Sequence, residues 1–370
     1  MKILFIAPIP PPIDGQSKAS KVLLDHLTDA GHEIDIINLS KKNLISGLLS
    51  FKRIFEVLAN LLKVYKNCDG QNIIYLSLAE SFFGNLRDLM IYAICKRHKK
   101  KIIIHMLGGA GMKEILSGTG LQFIANKFFI REIGGVIVEG PVNYEVFAKV
   151  INRDRIHVVP NFAEEYLFIN DRELELKFQS TSTINILFLS NLITGKGHIE
   201  LLEAYTNLNT DLRDRINLSF VGGFESEKLK KHFIQKLDKN QKTKYLGSFI
   251  DGEEKRQLYL NSHVFCLPTY YPFEGQPISI LEAYATGCVV ITTAHSGIPY
   301  IFSDGKNGFL VEKESPSSIS LAIYKLFNQT EILKSIACNN RNEALSKYRI
   351  THFQNKISKV FSDISLQNNE

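Results

Sequence analysis

Two glutamates in the second half of the chain, Glu274 and Glu282, occupy positions where carboxylates could bind a polar ligand. Glu274 lies in a proline-containing loop, and Glu282 lies in a segment that predicts a helix from Pro277 to a stop at Gly287. Carboxylates accept strong, directional hydrogen bonds, so the pair could hold hydroxyl groups. Because two glutamates at this spacing are common by chance, the alternative is an exposed Glu274 and a Glu282 on the helix surface.

The start of the predicted helix could bind an anion between these acids. The amides of Ile278 and Ser279 have no partner within the helix, and with the helix dipole they favour a group such as diphosphate. A candidate cation, Lys196, lies in a second strand-to-helix turn, bracketed by Gly195 and Gly197. By itself, Lys196 is equally well explained as a solvated surface lysine.

Sequence motifs for other phosphate sites and for metals are absent. The turn at 10–18 lacks the G-x-G-x-x-G pattern of dinucleotide sites. The turn at 190–197 fails the P-loop pattern, with Ser190 in place of the first glycine and Gly197 in place of the Mg²⁺-binding Ser or Thr. No Asp-x-Asp occurs in the chain, so we expect no metal site and no cofactor, and a lysine and helix amides would neutralise a diphosphate.

Composition is typical of a globular protein with two domains. The chain has 370 residues, of which 45% are apolar and 22% charged, and its length exceeds what one core usually organises. No apolar stretch approaches the roughly 20 residues of a membrane-spanning helix. Five cysteines without paired spacing suit a reducing cytoplasm, and the net charge of +6 has its excess in the first half.

Apolar, β-branched runs alternate with helical periodicity in two successive series, which favours two doubly wound parallel sheets. Ligands of such sheets bind beyond the carboxyl ends of the strands, and two facing sheets would place a cleft between them. We predict an N-terminal, acceptor-binding Rossmann-like domain at 1–165, a polar linker at 166–183, a nucleotide-binding domain at 184–347, and a C-terminal helix at 348–370 that packs towards the first domain. The predicted strands are 3–6, 34–37, 73–76, 102–104, 135–138, 156–159, 184–189, 218–221, 264–267, 289–292 and 309–311.

Several segments of the second half resemble, in order, the landmarks of the family 4 glycosyltransferases. These are retaining enzymes of the GT-B fold, and their hallmark is two glutamates separated by seven residues. The segments are Val158 to Phe162, Asn185 to Lys196, Phe220 to Gly223, Leu246 with Gly247, Glu274 to Glu282, Gly297 to Pro299 and Asp304 to Gly308.

The resemblance implies a role for each landmark. Glu282 is expected to hold the ribose hydroxyls of a nucleotide-sugar donor and Glu274 the hydroxyls of its sugar, while Lys196 holds the diphosphate. Glu274 and Lys196 are thus the predicted catalytic residues. The other predicted donor-binding residues are Gly15 and Gln16, which close over the phosphates, Gly247, Phe249 and Ile250 near the nucleobase, and Asn191, Gly223, Gly275, Gln276, Pro277 and Ile278.

Two positions depart from the family pattern, and one loop can be aligned with it in two registers. Asn191 stands in place of the usual phosphate-binding arginine, which leaves Lys196 as the main cation of that turn. Pro277 replaces a glycine and removes at most one amide contact. The loop after His105 resembles the family's histidine loop, but Leu107 can also be aligned with the histidine, and a buried structural histidine is an equal alternative. The predicted acceptor-side or sugar-side residues are His105, Gly108, Gly109, Lys18 and Asn161.

The function implied is retaining, metal-independent transfer of a hexose-type sugar, from a UDP-sugar by preference, to a saccharide hydroxyl in bacterial polysaccharide synthesis. The acceptor is expected to be lipid-linked, because residues 48–66 mix apolar and basic side chains at helical spacing and 96–101 add a basic cluster. A core-facing helix with solvated lysines is the alternative to peripheral binding at the inner, anionic membrane face.

Other functions explain the sequence less well. A nucleotide-sugar epimerase is disfavoured by the paired glutamates, and a phosphorylase by the lack of an evident pyridoxal phosphate lysine motif. Nucleic-acid binding lacks aromatic interleaving in the basic patches. A non-catalytic subunit that supports a partner transferase is the main alternative, because of Asn191.

The two glutamates should differ in what they contribute. We expect Glu282→Ala to weaken nucleotide binding, and Glu274→Ala to spare binding but abolish turnover. Thermal-shift titration with nucleotide diphosphates and a turnover assay separate the two effects. The reverse pattern would contradict the assigned roles.

Overall fold

The computed structural model describes residues 1–40, 51–238 and 240–366. The chain forms two compact units: unit 1 comprises Met1–Pro160 and Phe353–Glu370, and unit 2 comprises Asn161–His352. Within the described residues, none of the helices combines the length and apolarity needed to cross a bilayer.

Unit 1 is built on a six-stranded parallel sheet in the order β2-β1-β3-β4-β5-β6. Its strands are β1 Lys2–Ala7, β2 Glu33–Asn38, β3 Ile73–Ser77, β4 Lys101–Met106, β5 Gly135–Val138 and β6 Ile156–Val158. Its helices are α1 Gly15–Asp29, α2 Phe51–Asn67, α3 Phe82–Arg97, α4 Ala110–Ser117, α5 Leu121–Ile130 and α6 Pro141–Phe147, with a 3₁₀ turn at Arg153–Arg155.

The interior strands of this sheet are largely buried because helices cover both faces. Every residue of β3 and β5 is buried, which is typical of parallel strands enclosed on two sides. The last helix of the chain also belongs to this unit for most of its length, and in it Phe361 stacks on Tyr75 of β3 at 6.3 Å between ring centroids.

Unit 2 repeats the architecture with the strand order β12-β11-β10-β7-β8-β9. Its strands are β7 Ile184–Leu189, β8 Ile216–Val221, β9 Thr243–Tyr245, β10 Val264–Leu267, β11 Val289–Thr293 and β12 Gly308–Val311. The helices from here to the C-terminus are α7 Asp171–Lys177, α8 His198–Thr206, α9 Thr210–Arg213, α10 Glu227–Leu237, α11 Gly252–Leu260, α12 Ile278–Ala285, α13 Pro316–Asn328, α14 Thr330–Lys347 and α15 Ile350–Leu366, with 3₁₀ turns at Glu165–Leu167 and Ile298–Tyr300.

The predicted fold class, two doubly wound α/β sheets in tandem, is confirmed. Every predicted strand is present, whereas β9 was not predicted. This strand has only three residues, and its sequence Thr-Lys-Tyr lacks the apolar run that marks the others. The segment predicted as a linker, 166–183, contains α7, whose Lys177 is buried and donates to the carbonyls of Tyr259 and Thr286 at 3.0 and 2.7 Å.

Candidate functional site

The loops that carry the predicted donor-binding residues of unit 2 meet at one edge of its sheet. Strands β11, β10 and β7 are neighbours and parallel, so the loops that follow them emerge side by side. These loops carry residues 294–297, 268–277 and 190–197. The loops after β8 and β9, with Gly223 and Gly247, continue the same edge.

The turn that carries Lys196 depends on its two glycines. Gly195 and Gly197 have φ of +91° and +85°, a conformation that other residues rarely adopt. A side chain on Gly197 would place Cβ 2.4 Å from the carbonyl oxygen of Pro268. The turn also accepts a hydrogen bond from the amide of Tyr270 to Gly195 O at 2.7 Å. Glycine at both positions therefore lets the turn pack against the loop of Glu274.

This packing brings the two predicted catalytic residues into contact. Lys196 Nζ donates to both carboxylate oxygens of Glu274, at 3.0 and 2.8 Å. The hydroxyl of Thr269 donates to Glu274 Oε2 at 2.8 Å, and Lys196 Nζ lies 4.9 Å from the centroid of the Tyr271 ring. Glu274 is only 6% exposed. Lys196 is therefore not a freely solvated surface lysine, and Glu274 is not an exposed loop acid.

Residues that follow β11 hold the loop around Glu274 in place. The hydroxyl of Ser296, after β11, donates to the backbone carbonyl of Glu274. His295 Nε2 lies 2.8 Å from the carbonyl oxygen of Tyr271. A side chain on Gly297 would place Cβ 2.7 Å from the carbonyl oxygen of Gly275. The conformation of this acidic loop is thus fixed by contacts with two neighbouring loops.

Gln276, which lies just before α12, is held by Asn161. The Asn161 amide donates to Gln276 Oε1 at 2.6 Å, and Asn161 Nδ2 donates to Gln276 O at 2.9 Å. The helix begins at Ile278, so the prediction that Pro277 is its first residue is wrong by one position, because Pro277 has extended backbone at ψ 115°. Gly287 has φ of +63° immediately past the end of the helix, which confirms the predicted stop.

Glu282 is buried inside unit 2 rather than exposed on the helix surface. It is 2% exposed, and Lys255 Nζ donates to its Oε1 at 2.6 Å. The hydroxyl of Tyr259 donates to its Oε2 at 3.1 Å. Lys255 Nζ also lies 3.3 Å from Glu164 Oε2. Each of the two glutamates of the predicted pair is therefore buried against a lysine.

The segment predicted to meet the nucleobase lies at the end of β9. Gly247 O accepts a hydrogen bond from Gly222 N at 3.0 Å, and Gly223 O accepts one from Leu192 N at 2.8 Å. Phe249 is exposed, whereas Ile250 is buried. Asn191, in the position of the family's arginine, is half-buried in the turn after β7.

The remaining predicted residues lie in unit 1, also at the carboxyl edge of its sheet. Gly15 begins α1, which Asp14 caps. Gln16 Nε2 donates to Ser77 Oγ and to the carbonyl of Leu78, at 2.9 and 3.0 Å. Lys18, in the first turn of α1, is half-buried.

His105 lies in the core of unit 1. Its Nδ1 is 2.8 Å from the hydroxyl of Tyr75, and burial lowers the pKa of the imidazole to about 3. The ring is therefore neutral at physiological pH, and its Nε2 has no hydrogen-bond partner among the described residues. Gly108 and Gly109 follow β4, with Gly109 at the cap of α4 and Gly108 O bound by Asn143 Nδ2 at 2.8 Å.

Sequence reasoning missed three side chains that bind the two acids, Thr269, Lys255 and Tyr259. It also missed Glu164, which contacts Lys255. Lys255 lies in the polar run Gly252 to Gln257, which resembles a solvated helix face. Its burial follows only from the position of α11 beside α12. Thr269 could have been found, because it lies two residues past β10 at the sheet edge where ligands bind.

No group of three or more His, Cys, Asp or Glu side chains placed to hold a metal ion occurs within 1–40, 51–238 and 240–366. The cationic groups in contact with the predicted acids are the ammonium groups of Lys196 and Lys255.

Comparison with known proteins gives concordant matches. Residues 173–343 match the family model of glycosyl transferases group 1. An uncharacterised glycosyltransferase of Methanocaldococcus jannaschii is 24% identical over 76% of this chain and 72% of its own length. A Campylobacter jejuni N-acetylgalactosaminyltransferase, named for a diphospho-undecaprenol-linked acceptor, is 28% identical over 45% of this chain and 44% of its own.

The same fold is found in solved structures. The crystal structure of Anabaena HepE in complex with UDP superposes with a TM-score of 0.73 at 14% identity, covering 98% of this chain and 100% of that one. At this identity the likeness establishes the fold, and together with the family match it confirms the resemblance inferred from the sequence landmarks.

The buried pair of Lys196 and Glu274 should contribute to stability. Lys196→Met leaves the carboxylate of Glu274 without its cation, and we expect the free energy of unfolding to fall by about 3 kcal/mol, or about 6–12 °C in Tm for a unit of this size. The exposed Lys228→Met is the matched control and should change Tm little.

The double variant Lys196→Met with Glu274→Gln completes the test. If the ion pair causes the loss of stability, the two single variants together lose more free energy of unfolding than the double variant does. We expect the difference to be about 1 kcal/mol or more. Strict additivity of the two changes in thermal unfolding would contradict the pairing.

Proposed function

We propose that this chain is a retaining, metal-independent enzyme that transfers a hexose-type sugar from a UDP-sugar to a hydroxyl of a lipid-linked saccharide. The match of residues 173–343 to the glycosyl transferases group 1 supports the proposal. The observation that carries the proposal is the sheet edge of unit 2, where Lys196 and Glu274 form a buried pair at 2.8 Å and α12 begins two residues after Gln276.

The donor would bind across this edge. Diphosphate fits the start of α12, because the amides of its first residues have no partner within the helix and the helix dipole is positive there. Lys196 is the cation of the adjoining turn, residues 190–197. Glu274 lies in the loop that precedes α12 and would accept hydrogen bonds from the hydroxyls of the sugar. Glu282 would accept them from the hydroxyls of the ribose.

Catalysis by this site would rest on stabilising the leaving diphosphate. Cleavage of the glycosidic bond leaves negative charge on the phosphate oxygen and positive charge on the sugar, and preorganised donors at the oxygen are usually the largest catalytic contribution. Lys196 is such a donor, since Glu274 and the two glycines of the turn already fix its position. Glu274 would keep a negative charge near the sugar as positive charge develops.

We assign no protein nucleophile. In the proposed course the acceptor hydroxyl attacks from the face that the diphosphate leaves, and the departing phosphate takes its proton, so the anomeric configuration is retained. Uridine is favoured because the Anabaena structure was solved with UDP and because the Glu-Gly-Gln-Pro loop resembles that of surface-polysaccharide transferases. The diphospho-undecaprenol acceptor in the name of the Campylobacter relative supports a lipid-linked acceptor.

One residue favours a second function, a non-catalytic subunit that supports a partner transferase. Asn191 replaces the cationic side chain that the family places in the turn after β7, so the turn offers the diphosphate less positive charge. Lys196 and the start of α12 supply the remaining charge complementarity, which is why we favour the enzyme.

A transfer assay separates the two functions. With a panel of UDP-sugars and diphospho-undecaprenol-linked saccharides, we expect release of UDP that requires an acceptor and persists in excess EDTA. Glu274→Gln, which keeps the size of the side chain and removes its charge, should abolish release. A folded protein that binds no UDP-sugar would favour the supporting subunit, and activity abolished by EDTA and restored by Mg²⁺ would contradict metal independence.

We also propose that unit 1 binds the cytoplasmic face of an anionic membrane, where a lipid-linked acceptor would lie. The surface concerned is the outer face of α2, α3 and α5, called here the three-helix face. It exposes large apolar side chains along all three helices, with Phe55 71% and Leu121 86% exposed. These side chains are Ile54, Phe55, Leu58, Leu62 and Tyr65 on α2, Phe82, Phe83, Leu86 and Met90 on α3, and Leu121, Ile124 and Phe128 on α5.

The exposed apolar side chains form one stripe on each helix, and the three stripes adjoin one another. Helix α3 packs against both α2 and α5. Tyr65 of α2 meets His98, just past α3, in an edge contact of 5.0 Å, and Lys96 Nζ of α3 lies 4.1 Å from the ring centroid of Phe128 on α5. An apolar surface of this extent, shared among three helices, is unusual in a monomeric soluble protein.

Basic side chains border the apolar stripes, and this charge favours an anionic bilayer over a neutral apolar partner. Acidic groups nearby include Glu56 on α2, Asp69, which pairs with His98, and Glu132, which pairs with Lys96 at 2.7 Å. The sequence-based hypothesis for 48–66 is supported only from Ile54 onward, since 48–50 and the side chains of 51–53 lie outside the described residues. The exposed basic residues are Lys63, Lys66, Lys96, Arg97, Lys127 and Arg131.

Vesicle sedimentation tests the three-helix face. We expect the protein to pellet with phosphatidylglycerol-containing vesicles and less with phosphatidylcholine vesicles. The triple change Phe55→Ser, Leu62→Ser and Phe82→Ser should lower the partition coefficient about 100-fold, at roughly 1 kcal/mol for each half-inserted side chain.

The matched control carries Leu229→Ser and Leu321→Ser, two exposed leucines of unit 2. It should bind vesicles like the wild type. The membrane proposal would be contradicted if the protein pelleted equally with both kinds of vesicle or pelleted with neither. It would also be contradicted if the control variant lost as much vesicle binding as the triple variant.

A further inference from the structure

We infer that Lys255 is a positioning residue for nucleoside recognition, which orients the carboxylate of Glu282 so that it selects a ribose over a sugar that lacks hydroxyl groups. The inference rests on the proposed function, since it assumes that Glu282 faces the ribose of the donor. It adds a residue that neither the sequence pattern nor the family match identifies.

The carboxylate of Glu282 is held at both oxygens by one helix. Lys255 donates to Oε1 at 2.6 Å and Tyr259 donates to Oε2 at 3.1 Å, and both donors lie on α11 one turn apart. Two donors on a single rigid element fix the rotation of the carboxylate plane. Each carboxylate oxygen can accept a second hydrogen bond, so the orientation set by α11 decides where ribose hydroxyls can bind.

The charge of Lys255 also suits this role. A carboxylate that is 2% exposed pays a large desolvation cost as an ion unless a cation lies against it. An ionised acid is needed, because a protonated carboxyl would offer one oxygen as a donor rather than an acceptor. The ammonium group at 2.6 Å therefore keeps Glu282 in the form that accepts hydrogen bonds from hydroxyls.

Lys255 is itself held in place from the opposite side. Glu164 Oε2 lies 3.3 Å from its Nζ, and the hydroxyl of Tyr166 donates to the same Glu164 oxygen at 3.0 Å. Tyr166 lies 2.9 Å from Asp251 Oδ1, and Asp251 directly precedes α11. The lysine is thus fixed between an inner and an outer carboxylate rather than free to follow the ligand.

Helix α11 also joins the two parts of the proposed nucleoside site. It begins at Gly252, two residues after the segment Gly247 to Ile250 that is expected to meet the nucleobase. Lys255 lies in its first turn and contacts Glu282. One helix therefore sets the position of the base-facing segment and the orientation of the ribose-facing acid.

A purely structural role for the pair makes a different prediction. If Lys255 only balances a buried charge in the core, its removal lowers stability and weakens all nucleotides equally. If it orients Glu282 for the ribose, its removal abolishes the preference for nucleotides with ribose hydroxyls. The ratio of two affinities separates these roles, because a general loss of folded protein cancels in the ratio.

The experiment measures the Kd of UDP and of 2′,3′-dideoxy-UDP by calorimetry on the full chain. We expect the wild type to prefer UDP about tenfold or more, since hydrogen bonds to a charged acceptor are lost in the analogue. Lys255→Met should bring the ratio close to 1, as should Glu282→Ala. Lys236→Met, an exposed lysine on α10, is the matched control and should keep the wild-type ratio.

Each outcome bears on a separate claim. A folded Lys255→Met protein that keeps the wild-type ratio would overturn the inference, as would a wild type that binds UDP and its dideoxy analogue equally. Failure of the wild type to bind UDP at all would instead overturn the proposed donor. If Lys255→Met does not fold, Lys255→Gln retains a donor without the charge, and it should likewise lose most of the preference.

Discussion

The site of unit 2 depends on one constraint: a carboxylate removed from water must have a cation or strong donors against it. Both glutamates of the candidate site meet this condition in the same way. Glu274 is bound by Lys196 and Thr269, and Glu282 by Lys255 and Tyr259. The lysines come from different elements, the turn after β7 and helix α11, so the parallel sheet that aligns these elements is what allows both acids to be buried as ions. Contacts within unit 2 therefore fix the orientation of both acids, and a fixed orientation favours selective binding.

The sequence predicts the features of this arrangement that depend on neighbouring residues, and it does not predict those that depend on contacts between distant elements. The strands were predictable because parallel strands buried on two faces are continuous apolar runs, and the end of α12 was predictable because Gly287 marks it. The acids were predictable as candidates because Glu274 and Glu282 flank a helix start. The partners of the acids were not, because Lys255 and Tyr259 are ordinary helix residues until α11 is placed against α12, and β9 was missed because three mixed residues carry no periodic signal. For His105 the sequence left two alternatives, a histidine in the family's histidine loop and a buried structural histidine. Only the packing of Tyr75 against His105 shows that it is buried.

The two units use the same architecture for different surfaces. In unit 2 the chemistry is concentrated at the carboxyl edge of the sheet, where short loops are tied to one another by hydrogen bonds and close glycine contacts. In unit 1 the corresponding edge carries Gly15, Gln16 and Gly108, while the outer helices carry the apolar three-helix face. The proposed transfer, from a soluble donor to an acceptor held in a membrane, would use both kinds of surface.

A crystal structure of the protein with UDP bound tests the proposed donor site most directly. We expect the diphosphate to lie within hydrogen-bond distance of Lys196 Nζ and of the amides at the start of α12. We also expect both ribose hydroxyls to donate to Glu282 while Lys255 stays in contact with its Oε1. Density for UDP at another place, or a bound ribose that makes no contact with Glu282, would contradict the central claim that two lysine-held acids form the donor site.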